Sequence, residues 1–362
     1  MMIKNNPNPL FLFTIATVLA GCSTFGPNQL KDTHPLYNAA IVDSQNEQFM
    51  QNIVRLHYRD PVFFLDVSSV AASLSMSVSG GMDSNFDFLT GGKGLSSSVG
   101  GSYTQSPTIV YAPLNGEDFT RSLLTPISVN NVLSLTESGW SDRRVFGLCV
   151  ERINDLDNAS TASGPTPEIA PNRVDQFNRL LDLFDQIKGE DLIIPRIDPK
   201  TSETQLEIKP SAEYQDVVFE IKYLLGLDQK LDVFHVNNDF LKHSSDTISI
   251  RSRSLMSIFF YLSHNVDTPK SHQEAGLVTV TKNKDGSEFD WNKTKSGKLF
   301  HIHQNEKQPD QAFVSIPYRN QWFYLEDNDL ESKSSFMLLS QLFRLQAGSA
   351  KPVVPSLTIP VK

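Results

Sequence analysis

The sequence predicts an α+β fold of mixed helices and antiparallel strands, with a long Ser/Gly-rich β-hairpin near the N-terminus. Apolar residues recur at helical spacing in several segments, most regularly over residues 172–189. Other segments, above all 62–82 and 94–112, alternate between apolar and small polar residues, which is typical of strands. Helix and strand patterns follow one another without a regular βαβ rhythm, which argues against a doubly wound parallel sheet.

The N-terminus has the form of a bacterial lipoprotein signal peptide. Lys4 precedes an apolar run at residues 9–20, which is shorter than the roughly 20 residues that a spanning helix needs. The run ends in Leu-Ala-Gly-Cys at residues 19–22, which resembles a lipobox. The resemblance implies cleavage after residue 21 and a covalent lipid with several acyl chains on Cys22. Several acyl chains hold a protein firmly on a bilayer. The alternative is an ordinary secretory peptide with a chance cysteine.

The residue after the lipobox bears on location. Ser23 stands where lipoproteins retained at the inner membrane tend to carry Asp. This resemblance implies the periplasmic face of the outer membrane. Residues 22–37 are then expected to form a tether, and residues 38–58 a helix that ends before Asp60-Pro61.

The alternating segments at 62–82 and 94–112 predict two strands joined by a Gly-rich tip. Their apolar positions are Leu74, Met76, Val78, Leu95, Val99 and Tyr103. The hairpin could enter a membrane, because spanning strands need about 9–11 alternating residues. The thin apolar face favours the alternative, a soluble or partner-covered hairpin with serines on its wet face. A flexible linker fits the alternation least. We therefore predict that these six residues contact a partner or the membrane.

The rest of the chain divides at a small-residue segment with three prolines, residues 158–171, which we interpret as a linker. Before it, region 38–157 is predicted to hold the hairpin and helices at 115–127, 128–139 and 141–156. After it, region 172–362 is predicted to be α+β. Its expected strands are 191–195, 230–236, 246–252, 276–280, 298–304, 312–320 and 321–327, with helices at 172–189, 253–266 and 329–348 and an edge strand in the last residues.

Composition limits the classes of function. The formal net charge of −9 argues against binding nucleic acid. Once Cys22 is lipidated, only Cys149 remains, so no internal disulfide can form. Cys149 lies in an apolar helical pattern and is expected to be a core residue rather than a nucleophile.

Catalytic motifs are not found. The chain has no Gly-x-Gly-x-x-Gly opening a helix, no phosphate-binding lysine loop and no Gly-x-Ser-x-Gly elbow. His301 and His303 would point to the same side of a strand and are the best metal candidates, but no third ligand is near in sequence. Arg143 and Arg144 could bind an anion, although solvated arginines at a helix start are favoured. We therefore predict no catalytic residue, no metal, and no cofactor apart from the lipid on Cys22.

Four stretches resemble a family of uncharacterised proteobacterial envelope lipoproteins. They are "NIVRLHYRDPVFFLDVSSV" (52–70), "PLNGEDFTRSLLTPI" (113–127), "LCVERINDLDNA" (148–159) and "NQWFYLEDNDLESKSSFMLL" (320–339). The resemblance covers most of the chain after Cys22. It implies a lipoprotein with a single architecture, and it brings no activity or catalytic residue.

Two functional hypotheses follow. The first is a lipid-anchored outer-membrane lipoprotein that acts as a subunit or accessory of an envelope or secretion assembly. Its partners would be the membrane, through the anchor, and other envelope proteins or further copies of itself, whose hairpins could line up in the outer membrane. The second is a periplasmic ligand-binding or hydrolytic lipoprotein with its site within residues 190–330.

Overall fold

The protein is described here by a computed structural model. It describes the backbone of residues 25–86, 93–165, 169–171, 174–240 and 244–347. Side chains are described for residues 35–67 and, within those ranges, from 110 to 346. The described chain forms two compact units. One unit runs up to Val62 and resumes at Thr120, and the other is Phe63–Phe119.

The smaller unit is a two-stranded antiparallel hairpin. Strand β1 spans Phe64–Phe86 and strand β2 spans Lys93–Leu114. They pair along their whole length, from Phe64 opposite Leu114 to Phe86 opposite Lys93, with one irregularity between Val67 and Ser69. At the base, the rings of Phe64 and Phe119 meet edge to face, with their centroids 5.9 Å apart. The predicted hairpin is confirmed, and its strands are slightly longer than the alternation indicated.

The larger unit contains a six-stranded mixed sheet in the order β4-β3-β8-β7-β6-β5. Neighbouring strands are antiparallel except β7 and β8, which are parallel. The strands are β3 (Val150–Ile153), β4 (Leu156–Asp157), β5 (Ile193–Ile197), β6 (Thr204–Ile208), β7 (Val233–Asn237) and β8 (Thr247–Ser252). Buried Leu206, Ile208, Phe234, Ile248 and Ile250 supply its core face.

A second sheet has three antiparallel strands in the order β10-β11-β9, namely β9 (His303–Asn305), β10 (Val314–Tyr318) and β11 (Gln321–Leu325). The hairpin predicted across Arg319-Asn320 is confirmed. Both of these residues have positive φ, 47° and 62°, as a tight two-residue turn between strands requires.

The helices are α1 (Phe25–His57), α2 (Glu117–Leu124), α3 (Val129–Glu137), α4 (Asp142–Cys149), α5 (Val174–Gln186), α6 (Gln215–Leu224), α7 (Leu255–Ser263), α8 (Lys270–Glu274), α9 (Lys295–Leu299) and α10 (Leu330–Ala347). Phe49 of α1 joins three of them. Its ring centroid lies 6.2 Å from that of Phe259 in α7 and 4.9 Å from that of Phe343 in α10. Aromatic pairs at these separations stabilise a core beyond simple burial.

Side-chain caps and buried apolar faces define several helices. The Ser128 hydroxyl accepts the backbone N–H of Asn131 at the start of α3, and the Asp329 carboxylate accepts the N–H of Ser332 at the start of α10. The apolar face of α5 is buried at Phe177, Leu180, Leu181 and Phe184. In α10, Phe336, Leu339 and Leu342 are buried, whereas Leu345 is 48% exposed.

Other predicted elements need correction. The helix expected over 141–156 stops at Cys149, because Val150–Ile153 pairs with β8 as strand β3. Residues 276–280 form no strand, and the strand expected over 298–304 is reduced to His303–Asn305, preceded by helix α9. Strand β6 and helix α6 were not predicted. The C-terminal edge strand falls outside the described residues.

The division of the chain also differs from the predicted one. Helix α1 already begins at Phe25, inside the segment 22–37 that was expected to be a tether. The segment 158–171 was expected to be a linker, yet Asn158 and Ala162 are buried and residues 160–163 form a 3₁₀ turn. The two compact units separate instead at the base of the hairpin. The first residues of this segment are therefore packed into the larger unit and do not mark a boundary.

Candidate functional site

The register of the hairpin determines which residues share a face. Met76 stands directly opposite Tyr103, and residues opposite one another in an antiparallel pair lie on the same face. Residues two apart in a strand also share a face. The register is unbroken from Ser69 to Phe86. The six residues predicted to contact a partner or membrane therefore all belong to one face: Leu74, Met76, Val78, Leu95, Val99 and Tyr103.

The opposite face of the hairpin is made of small polar residues and glycine. Ser77 stands opposite Ser102, and Ser79 stands opposite Gly100. By the same alternation, this face also carries Ser73, Ser75, Ser96 and Ser98. The face with the six residues also carries Ser84, Ser97 and Gln105, so it is richer in apolar residues than the opposite face without being wholly apolar. We call the face with the six residues above the apolar hairpin face.

The hairpin is long and narrow. Its strands contain 23 and 22 residues, which corresponds to roughly 75 Å at the usual rise per strand residue. Strands in globular proteins usually contain only about 3–10 residues. Within the described part of the chain, the sheet consists of β1 and β2 without a third strand. Among the described residues, the outer edges of β1 and β2 pair with no further strand, and an unpaired edge is a template for strand addition.

A second group of side chains lies in the larger unit, where two distant segments are joined by a short parallel bridge. Ile302 pairs with Val266, its N–H donates to the carbonyl of Asn265 (2.9 Å), and its carbonyl accepts the N–H of Asp267 (2.9 Å). The Ile302 side chain is fully buried. Because alternate residues of an extended chain point to opposite sides, His301 and His303 both point away from this core, towards Asp267.

These three residues form a close cluster, which we call the Asp-His-His cluster: Asp267, His301 and His303. The Nε2 atom of His301 lies 2.8 Å from Oδ1 of Asp267, and Nδ1 of His303 lies 3.5 Å from Oδ2. The two imidazole centroids are 4.2 Å apart. Asn292 Nδ2 donates to Oδ1 of Asp267 (3.2 Å). The spacing of the two histidines predicts that they lie on one side of a strand, but it gives no sign of Asp267, which lies 34 residues before His301.

The cluster is electrostatically coupled. Burial alone would raise the pKa of the Asp267 carboxyl, but the hydrogen bonds from His301 and His303 outweigh it, so this pKa lies far below its usual range. The hydrogen bond to Asp267 raises the pKa of His303, and the charges of Glu326 and Asp329 act in the same direction. The surroundings of His303 therefore favour positive charge.

Asp267 also lines a cavity of about 340 Å³. Two half-buried histidines, His57 and His264, share this lining. His57 contacts the Ser263 carbonyl (2.8 Å) and the Thr268 hydroxyl through its two ring nitrogens, and His264 stacks on Trp291 at 4.9 Å. Burial lowers the pKa of both imidazoles to about 4. They are therefore neutral at physiological pH and serve as hydrogen-bonding partners rather than cations.

The remaining residues singled out in the sequence are two cysteines and two arginines. Cys149 is fully buried, and burial raises the pKa of its thiol to about 12, so its expected core role is confirmed. The expectation of solvated arginines at the start of α4 is wrong. Arg144 is buried and donates to Glu331 and Ser335, while Arg143 pairs with Asp182 and Asp185. Cys22 lies outside the described residues.

Comparison of the chain with known protein families, characterised proteins and solved structures gives no significant match. None of the helices among the described residues is both long and apolar enough to cross a membrane. The helices and the mixed and antiparallel sheets themselves establish the α+β class. The hairpin and the Asp-His-His cluster are the two features that bear on function.

Proposed function

We propose that this chain is a lipid-anchored lipoprotein of the outer membrane, facing the periplasm, with a structural or interaction role in an envelope or secretion assembly. The observation that carries the proposal is the register of the hairpin, which collects six separate apolar residues on one face of a sheet with open edges. The lipobox at residues 19–22 supports the anchor, and the hairpin supports the assembly.

The hairpin needs a partner for a physical reason. An isolated two-stranded sheet is marginally stable in water, because it cannot cover its apolar face by itself. A long open edge is also a template for pairing with another chain. Two paired strands of more than 20 residues each therefore favour an assembled state in which both the edges and the apolar face are covered.

A second copy of the same chain is the partner that fits best. The outer edge of β1 can pair with the outer edge of β2 in the next copy, which leaves one open edge at each end for a further copy. Such head-to-tail contacts close into a ring when the rotation between copies allows it. The apolar hairpin faces of all copies would then lie on one side of a continuous sheet, against a membrane or another protein surface.

Two matched double variants test this proposal. Val78→Asp with Val99→Asp places two carboxylates on the apolar hairpin face, while Ser77→Asp with Ser98→Asp places the same charges on the opposite face. Burying an unpaired carboxylate is strongly unfavourable, whereas a wet face tolerates it. We expect the valine variant to fall from a multimer to a single chain by mass photometry in detergent, and the serine variant to remain assembled.

The size distribution therefore separates the faces. A valine variant that assembles as well as wild type would contradict the proposal, as would equal loss of assembly in both variants. Circular dichroism of both variants serves as the folding control, since the larger unit has its own core.

The alternative, a periplasmic ligand-binding or hydrolytic lipoprotein with its site within residues 190–330, is favoured by one observation. The cavity lined by Asp267, Trp291 and Asn292 lies in that range and is large enough for a small molecule. This alternative would be favoured over the assembly by two results together. The extracted chain would be a monomer, and it would bind a small ligand that the Asp267→Asn variant does not bind.

A further inference from the structure

We propose that Asp267, His301 and His303 form a binding site for a divalent transition-metal cation such as zinc. The site is independent of the hairpin and of the proposed assembly. Two imidazoles and one carboxylate are a donor set that such cations accept, and three protein ligands leave at least one coordination position open for water.

The spacing of the ligand atoms fits a metal ion. All three lie within 4.8 Å of one another. Ligands about 2.0–2.1 Å from a tetrahedral zinc ion are about 3.3 Å apart. His301 Nε2 lies 2.8 Å from Oδ1 of Asp267, and His303 Nδ1 lies 3.5 Å from Oδ2, so the two nitrogens approach different oxygens of the carboxylate. Both separations are close to the spacing in a zinc site, and binding one ion requires the side chains to turn one oxygen and both nitrogens towards a single point.

The backbone holds the ligands in place before any ion binds. The bridge between Val266 and Ile302 fixes Asp267 beside the two histidines. The Ser332 hydroxyl accepts the N–H of His301 (3.0 Å), and the Asn292 amide donates to Asp267 (3.2 Å). Outer-shell hydrogen bonds of this kind orient ligands and strengthen metal binding. Preorganisation lowers the entropy cost of collecting three side chains around an ion.

The cluster is accessible and lies in an acidic environment. The side chains of Asp267, His301 and His303 are 36%, 24% and 27% exposed, so a hydrated cation can reach them. Glu326 and Asp329 add negative charge near His303. This field favours a dication over an anion at the same place.

The test uses the untagged, mature chain, because a histidine tag would bind the probe. Equilibrium dialysis against Zn²⁺, read by elemental analysis, is expected to give one ion per chain. His301→Gln and His303→Gln are each expected to weaken binding at least tenfold, which is the lower range for loss of even an outer-shell contact. His235→Gln is the matched control. This histidine lies 3.6 Å from Glu203 and, within the described part of the chain, belongs to no group of three potential metal ligands, so its loss should leave binding unchanged.

Two measurements keep the test interpretable. Thermal unfolding in chelator shows whether each variant folds, and Asp267→Asn offers a third variant of nearly the same shape. Zinc should raise the Tm of wild type and of His235→Gln, because it binds only the folded chain. No saturable zinc binding in wild type, or equal binding in the His301 and His303 variants, would overturn the site. Neither result affects the mass of the assembly, so failure of the metal site is distinguishable from failure of the proposed function.

Discussion

Arg253 shows how one residue can organise several segments. Its side chain is completely buried, and its guanidinium donates to the carbonyls of Val150 (2.9 Å) and Leu148 (3.2 Å) and to the Ser163 hydroxyl (3.0 Å). It also lies 3.8 Å from the ring centroid of Tyr261. The planar five-donor fork of arginine can serve all of these acceptors at once, which a lysine cannot do.

Substitution of Arg253 is therefore expected to be costly. Arg253→Met removes the buried hydrogen bonds from the guanidinium to Leu148, Val150 and Ser163, and hydrogen bonds from a charged group contribute about 1.5–3 kcal/mol each. We expect the free energy of unfolding, measured by urea titration, to fall by at least about 3 kcal/mol. Arg251→Met is the control, because Arg251 is exposed on the adjoining strand, and such surface changes cost within about 0.5 kcal/mol. Equal stability of the two variants would refute this role of Arg253.

At the scale of elements, local pattern predicted the hairpin and the helices with a regular apolar face. Strand alternation over residues 62–112 and the spacing of Phe177, Leu180 and Phe184 are local properties, so they can be read from the sequence. Strand β3 could not, because Val150–Ile153 continues the apolar pattern of α4 and becomes a strand only through its partner β8. Tertiary pairing overrides local preference in such short segments.

The same distinction applies to the candidate sites. The alternation identified six apolar positions but not whether the two strands present them on one side, because a shift of one residue in register would separate them. His301 and His303 were found from their spacing. Asp267 was not, because it joins them only through the bridge between Val266 and Ile302.

Removal of the hairpin should separate its role from that of the rest of the chain. We expect a variant in which Val70–Ile109 is replaced by a short Gly-rich turn to remain folded, with a Tm within a few degrees of wild type. The reason is that the larger unit holds its own core around Phe49, Phe259 and Phe343. Loss of cooperative unfolding in differential scanning calorimetry would contradict this independence.

At the scale of the whole molecule, stability should depend on pH through the two half-buried histidines. The pKa of His57 and of His264 is lowered from 6.5 to about 4 in the folded chain. Between these values the unfolded chain binds protons that the folded chain does not. Their contribution is thus complete above pH 6.5 and is lost as the pH falls towards 4. The raised pKa of His303 acts in the opposite direction, with stability lost as the pH rises.

A single variant isolates this effect. His57→Gln can keep both hydrogen bonds of His57 but cannot titrate. We expect the free energy of unfolding, measured by urea titration between pH 6.5 and 4.5, to fall less steeply with decreasing pH than in wild type. The difference in slope should correspond to the uptake of up to about one proton fewer on unfolding. An unchanged slope would show that His57 is not held neutral by burial.

The proposed assembly, in which the hairpin joins copies of the chain, is tested most directly by the mass of the wild-type chain, extracted from membranes in mild detergent and measured particle by particle. We predict a particle containing several chains, which becomes a single chain when Val70–Ile109 is removed. The proposal would be contradicted if the wild-type particle contained one chain, so that its mass differed from that of the shortened variant only by the deleted residues.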